Sequence, residues 1–324
     1  MFRNLTIFAI LLALFVVVLG AYVRLSDAGL GCPDWPGCYG SLIVDESHEG
    51  VAHAAEHYPE RPLEVSKAWK EMIHRYFASG LGLVILILTI MAWRRPELGQ
   101  RGLTTLLLLL VMFQGALGMW TVTLLVKPAI VMSHLLGGLA TLSLLLLLLL
   151  RIQTKRLAQT DKKNTVRGVT SVALLVLVVQ IALGGWTSTN YAALACPDFP
   201  TCFGTSWTPA VDYNEGFVLW RGLGLDYEFG VVSNEARAAI HWVHRIGALI
   251  TTILFSFLIY LLIRLSAIKE AIMLGALLFM QVMLGILNVL LNLPLHVAVA
   301  HNAVAALLLL SVVYVRFRLG KPVL

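Results

Sequence analysis

At 324 residues, 59% hydrophobic and only 13% charged, with a mean hydropathy of +0.83, the chain is too apolar for a soluble core. It carries several uncharged runs of roughly twenty residues, the length that crosses a bilayer. The formal charge of +6 calls for no nucleic acid, because anchoring against the anionic headgroups of membrane lipid accounts for it.

In chain order the pattern predicts eight membrane-spanning helices, over residues 4–23, 72–93, 102–124, 129–150, 168–189, 239–263, 271–293 and 295–315. The first follows a lone Arg3, but its apolar stretch outruns a signal-peptide core. No small-residue cleavage site closes it, so it is read as a retained helix. Basic residues gather before that span, in 94–101 (Arg94, Arg95, Arg101), in 151–167 (Arg151, Lys155, Arg156, Lys162, Lys163, Arg167) and in the tail (Arg316, Arg318, Lys321). The connections 24–71 and 190–238 are acidic instead, with nine acids against four bases and six against two. The positive-inside rule then places both termini in the cytoplasm and the acidic loops outside.

Each long outer loop carries a cysteine pair, Cys32 and Cys38 in CPDWPGC and Cys196 and Cys202 in CPDFPTC. Disulfides persist on that side of a membrane. Two readings stand: a structural staple, or a redox pair that passes electrons or exchanges with a thiol oxidoreductase. The pairs also expose a duplication. Cys32 maps onto Cys196 at an offset of 164, His74 onto His244 at 170 and His134 onto His301 at 167, and FQGALGMWTVTLLV at 113–126 is similar to MQVMLGILNVLLNL at 280–293. The expected fold is therefore all-α, with eight transmembrane helices in two pseudo-symmetric four-helix bundles: an N-terminal half at 1–150, a cytoplasmic linker at 151–167 and a C-terminal half at 168–324. An even number of spans per unit gives both halves one orientation, about an axis along the membrane normal.

Within that frame His74, His134, His244 and His301 all fall near the outer ends of even-numbered spans. Intramembrane histidines are costly and mark function. Two opposed imidazoles on helices running the same way suit a haem iron. Gly80, Gly82, Gly137, Gly138 and Gly247 leave room for a macrocycle, and the guanidiniums of Arg75 and Arg245 suit propionate carboxylates. Glu71 lies three residues before His74 and shares its helix face, a proton-handling group at an apolar site; His241 holds that position in the second half. For any one of these histidines a hydrogen bond across helices is the plainer reading, and the fourfold pattern argues against it. His48, His53 and His57 read as solvated loop residues and His296 as interfacial. Residues 41–70 predict a short helix up to Pro59, placed to cover the first-half pocket.

The E-x-x-H-R motif at 71–75, the H-x-x-H-R motif at 241–245, the later His134 and His301, the paired cysteines and the twin four-helix layout together resemble the haem A synthase family, over essentially the whole chain. The resemblance implies a multi-pass oxidoreductase of the bacterial inner membrane, with the cysteine loops periplasmic, that oxidises the C8 methyl of haem O to a formyl group by successive hydroxylations for cytochrome c oxidase. It implies His74 and His134, with Arg75, at the substrate haem, and His244 and His301, with Arg245, at a permanent haem b cofactor, each histidine an axial ligand of iron. Glu71 matches the family's essential acid. Cys32–Cys38 and Cys196–Cys202 are expected as disulfides. The partners it brings with it are haem O, a haem O synthase, an electron donor and further copies of the chain in a homo-oligomer. Two rivals from other classes are a non-catalytic dihaem electron carrier linked to quinol and a transporter built from parallel repeats.

Overall fold

The computed structural model describes residues 1–153, 161–204 and 210–320. Its helices are α1 (Phe2–Leu25), α2 (His48–His57), α3 (Val65–Arg94), α4 (Arg101–Thr123), α5 (Pro128–Gln153), α6 (Asp161–Thr189), α7 (Tyr213–Gly216), α8 (Asn234–Arg264), α9 (Ile268–Leu290) and α10 (Leu295–Arg318). All of them except α2 and α7 are long and apolar enough to cross a membrane, so the eight predicted spans are present. The described residues form no strand beyond an isolated bridge between Cys38 and Ser41.

Helix starts differ from the prediction in an informative way. Hydropathy marks where lipid begins, whereas a helix begins where its backbone is capped. Thus α3 starts seven residues before position 72 and α8 five before 239; Ser233 caps α8 by accepting from the Ala236 N–H at 3.2 Å. His74 and His244 consequently sit in the third turns of their helices, while His134 and His301 sit in the second turns of theirs. At the other end α5 continues to Gln153 and α6 opens at Asp161, absorbing much of the stretch read as a linker. Lys155, Arg156 and Lys321, together with the side chains of Lys162 and Lys163, lie outside the described residues.

Helices α1, α3, α4 and α5 close one ring of neighbours, and α6, α8, α9 and α10 close another. Between the rings, α1 packs on α10, α6 on α5, and α5 on α10. A single apolar cluster runs through both, with Ile85, Leu88, Leu145, Phe255, Leu258 and Val312 fully buried. These residues lie far from the cysteine loops: Leu145 is about 16 Å along α5 from His134. Close packing there, rather than any hydrophobic drive from lipid, holds the spans together.

The cysteine-loop end is tied across the rings by polar contacts. Arg24 Nη2 donates to the Ser188 carbonyl at 2.6 Å, and the Tyr191 hydroxyl donates to Asp27 Oδ1 at 2.9 Å; both pairs are 164 residues apart, the offset of the cysteine motifs. Arg61 bridges to Glu228 at 2.7 Å and to Asp226 at 2.5 Å. Helix α2, present close to where it was expected, places Ala54 in a small cluster with Cys32, Cys38 and Met72 and so lies over the first cysteine loop.

Lys127, in the turn between α4 and α5, is 2% exposed. Its Nζ donates to the carbonyls of Arg221 (2.5 Å) and Gly222 (3.0 Å) and stands 3.7 Å from the centre of the Trp220 ring. A desolvated ammonium is tolerable because two carbonyls and a π face replace its water. Lys127→Met keeps the stem and strands the carbonyls. It is expected to cost ~2 kcal/mol and to expose the 217–230 segment to proteolysis well before global unfolding, as measured by thermal denaturation and limited digestion in detergent.

Candidate functional site

Each of the four span histidines lies against a glycine of the neighbouring helix. A Cβ added to Gly20 of α1 would stand 2.9 Å from Cε1 of His74; on Gly118 of α4 it would stand 3.5 Å from His134, on Gly184 of α6 3.1 Å from His244, and on Gly285 of α9 3.2 Å from His301. A Cβ on Gly20 would force the ring to shift, one on Gly184 or Gly285 would make it give by a few tenths of an ångström, and one on Gly118 would rest in ordinary contact. The four contacts repeat once per half in the order set by the duplication. His74 lies within electrostatic reach of His134, and His244 of His301.

All four imidazoles are partly buried. Nδ1 of His74, His134 and His301 is buried without a hydrogen-bond partner, an arrangement that costs roughly 1–3 kcal/mol per group in an otherwise satisfied interior. Paired imidazoles bearing unspent ring nitrogens, each against a glycine and set in apolar helices, are a donor set that would suit haem iron. In the second half the rings have amide neighbours. Gln180 Nε2 of α6 donates to His244 Nδ1 at 3.1 Å and to the His244 carbonyl at 3.0 Å, and Gln281 Nε2 of α9 lies 3.2 Å from His301 Nε2. These glutamines, and Gly20, Gly118, Gly184 and Gly285, were not singled out from sequence. The signal was there as a Q-x-x-L-G pattern on the odd spans, but its meaning depends on which face of one helix meets the next.

The glycines read as room for a macrocycle fall into three cases. A Cβ on Gly80 or Gly82 would meet nothing within 4 Å. Gly137 and Gly247 instead seat glutamines, since a Cβ there would lie 1.8 Å from Gln114 Nε2 and 2.2 Å from Gln180 Oε1. Gly138 faces Val17 at 3.8 Å.

Glu71 and Arg75 form a different assembly. The Glu71 carboxylate is buried; its Oε2 accepts the Cys32 N–H at 3.0 Å and its Oε1 accepts from Arg75 Nη2 at 2.5 Å. Arg75 also donates to the carbonyls of Asp34 (3.1 Å), Pro36 (3.2 Å) and Gly37 (2.5 Å). The guanidinium is thus engaged by the cysteine loop. In the second half the Cys196 N–H points at His241 Nδ1 (3.2 Å), Arg245 Nε points at His241 Nε2 (3.2 Å), and Arg245 donates to the carbonyls of Cys196 (2.7 Å) and Thr201 (3.0 Å). A neutral imidazole accepts on one nitrogen only, so His241 satisfies one of those two donors, whereas Glu71 satisfies both. The loops themselves are closed by the Cys32–Cys38 and Cys196–Cys202 disulfides. The first loop can come this near because Gly31 has no side chain: a Cβ there would fall 2.5 Å from the Lys67 main chain.

The remaining histidines lie apart from this assembly. His48, His53 and His57 are exposed on α2, with the rings of His53 and His57 stacked at 4.1 Å, and His296 is exposed at the start of α10.

Fold and site together define a multi-pass helical membrane protein with two matched imidazole pairs fit for haem. Comparison with known proteins narrows this class. The chain belongs to the COX15-CtaA family: the family model described as cytochrome oxidase assembly protein matches residues 3–313. A protein of Shewanella oneidensis named haem A synthase is 47% identical over 94% of this chain and 92% of its own length. Proteins of the same name from Rhizorhabdus wittichii (29% identical, over 95% of this chain and 90% of that protein) and Halalkalibacterium halodurans (27%, over 99% of each) are also similar.

Proposed function

We propose that this protein is a haem A synthase of the bacterial inner membrane, with both termini cytoplasmic and the cysteine loops periplasmic. It takes haem O as substrate and oxidises the C8 methyl to a formyl group by successive hydroxylations. The observation that carries the reading is the fourfold histidine–glycine contact, one pair of imidazoles per half, in a chain of this family. The N-terminal half, 1–150, binds the substrate through His74 and His134; the C-terminal half, 168–324, keeps a haem b through His244 and His301. Bound haem supplies the redox chemistry that no side chain of this chain provides.

The chain's own residues do the rest. The imidazoles would hold each iron, and the glycines beneath them let the rings lie close to the neighbouring helix backbone. Glu71, buried beside the disulfide loop, handles protons at the substrate end. Arg75 and Arg245 hold the two cysteine loops through main-chain carbonyls, and the same guanidiniums are the groups that would meet haem propionates. A haem O synthase, an electron donor and further copies of this chain are the partners the family resemblance implies.

The test is pigment extraction after co-expression with a source of haem O. Haem A or its hydroxylated intermediate is the expected product. Haem b alone would support a dihaem electron carrier instead, and no haem at all would support the transporter reading.

A further inference from the structure

Three of the four odd spans share one local motif at the histidine contact. Gln114 precedes Gly118 by four residues in QGALG, Gln180 precedes Gly184 in QIALG, and Gln281 precedes Gly285 in QVMLG; the fourth, on α1, reads VVVLG, with Val16 before Gly20. Because Gly20 and Gly184 both lie beneath a histidine ring, Val16 occupies the place of Gln180. The change is matched across the contact. Gly247, three residues after His244, leaves the space that Gln180 fills, whereas three residues after His74 stands Phe77, packed edge-on against Phe15 at 4.8 Å. In the second half both imidazoles touch an amide. Nδ1 is without a partner at His74 and His134, and at His301 as well, so the difference between the halves lies at His74 and His244, the one with Val16 where the other has Gln180.

The chemistry of an amide gives this difference a consequence. A ring nitrogen that commits its lone pair to a metal leaves the other nitrogen as an N–H that needs an acceptor, and such outer partners fix ring orientation and raise ligand basicity. An amide serves in either state: it donates to the free imidazole, as Gln180 does, and it offers its oxygen to the ligated one. Oε1 of Gln180 and Oε1 of Gln281 are both buried with no other partner. Valine can do neither.

The geometry points to Gln180 as a positioning residue that locks His244, and to Val16 as the reason His74 is the ligand that lets go. The glutamine–valine difference at this one place sets which half retains its haem and which exchanges it. The inference rests on the assignment of substrate and cofactor to the two halves.

The experiment uses purified holoprotein in detergent, with apomyoglobin in excess as a haem sink and a redox titration in parallel. Gln180→Leu should release the second-half haem roughly 10-fold faster than wild type, the scale on which partners of metal-bound histidines act. Gln180→Glu should retain the haem and lower its midpoint potential, because an anionic acceptor on the imidazole N–H favours the ferric state. Val16→Gln should slow release of haem O from the first half. A merely structural Gln180 would not move the potential and the release rate separately. Wild-type release and potential in Gln180→Leu, or unchanged haem O release in Val16→Gln, overturns the inference. Haem A output from the same preparations keeps the two claims apart: wild-type protein that makes no haem A while showing Gln180-dependent retention defeats the functional assignment, whereas haem A formation with Gln180-independent retention defeats this inference alone.

Discussion

His244→Ala is expected to leave a protein that inserts and folds but retains no second-half haem, with haem A formation abolished. Its iron would lose an axial ligand, and the ring's removal would open the contact with Gly184. Loss of an outer partner of a metal-bound histidine already costs 10–100-fold in affinity, so removal of the ligand itself should cost at least about 100-fold. Gly184→Leu gives the same prediction without touching a ligand. A Cβ at that position would already stand 3.1 Å from His244 Cε1, and the remainder of a leucine side chain must displace the ring. Both variants should lose the pigment in visible spectra, while a mutation as large on the lipid face of α6, Val172→Phe at a position 53% exposed, should not. Retention of haem by Gly184→Leu at the wild-type level would show that the histidine–glycine contact does not place the ligand.

Much of this arrangement was legible in the sequence, and the parts that were not share a physical reason. Eight apolar runs of bilayer length need no tertiary information to be seen, and all eight are helices. The histidine pairs could be matched because duplication presents each of them twice. What a linear reading lacks is the face on which one helix meets another. Gly137 and Gly247 read as room for a ring because they lie near a histidine on the same helix, yet each receives a glutamine from the neighbouring one. The glycines that do meet the imidazoles stand on other helices. Lys127 shows the same limit: a lone cation at the cysteine-loop end, it becomes intelligible only once residues 220–222 have folded over it. Arg75 reads as a partner for a ligand carboxylate by its place beside His74, and its engagement by three loop carbonyls and Glu71 is visible only in the fold.

Glu71→Gln is expected to keep the second-half haem and to lower haem A output by about 100-fold or more, the lower end of what positioned acid–base groups contribute. The structure gives the carboxylate two separable duties. One is anchoring: it accepts the Cys32 N–H and the Arg75 guanidinium together, and an amide can accept only one of these donors while turning its NH2 toward the other. The other is proton handling at the substrate end, which an amide cannot perform at all. The second half supplies the control, because His241 stands where Glu71 does and a single imidazole suffices there to seat the Cys196 loop. Glu71→His should therefore keep the Cys32–Cys38 loop in place, seen as resistance of the disulfide to reduction and alkylation, and still fail to restore product. If Glu71→His recovers wild-type haem A while Glu71→Gln does not, the carboxylate matters only as an anchor, and protons at the first-half site must be managed by another group.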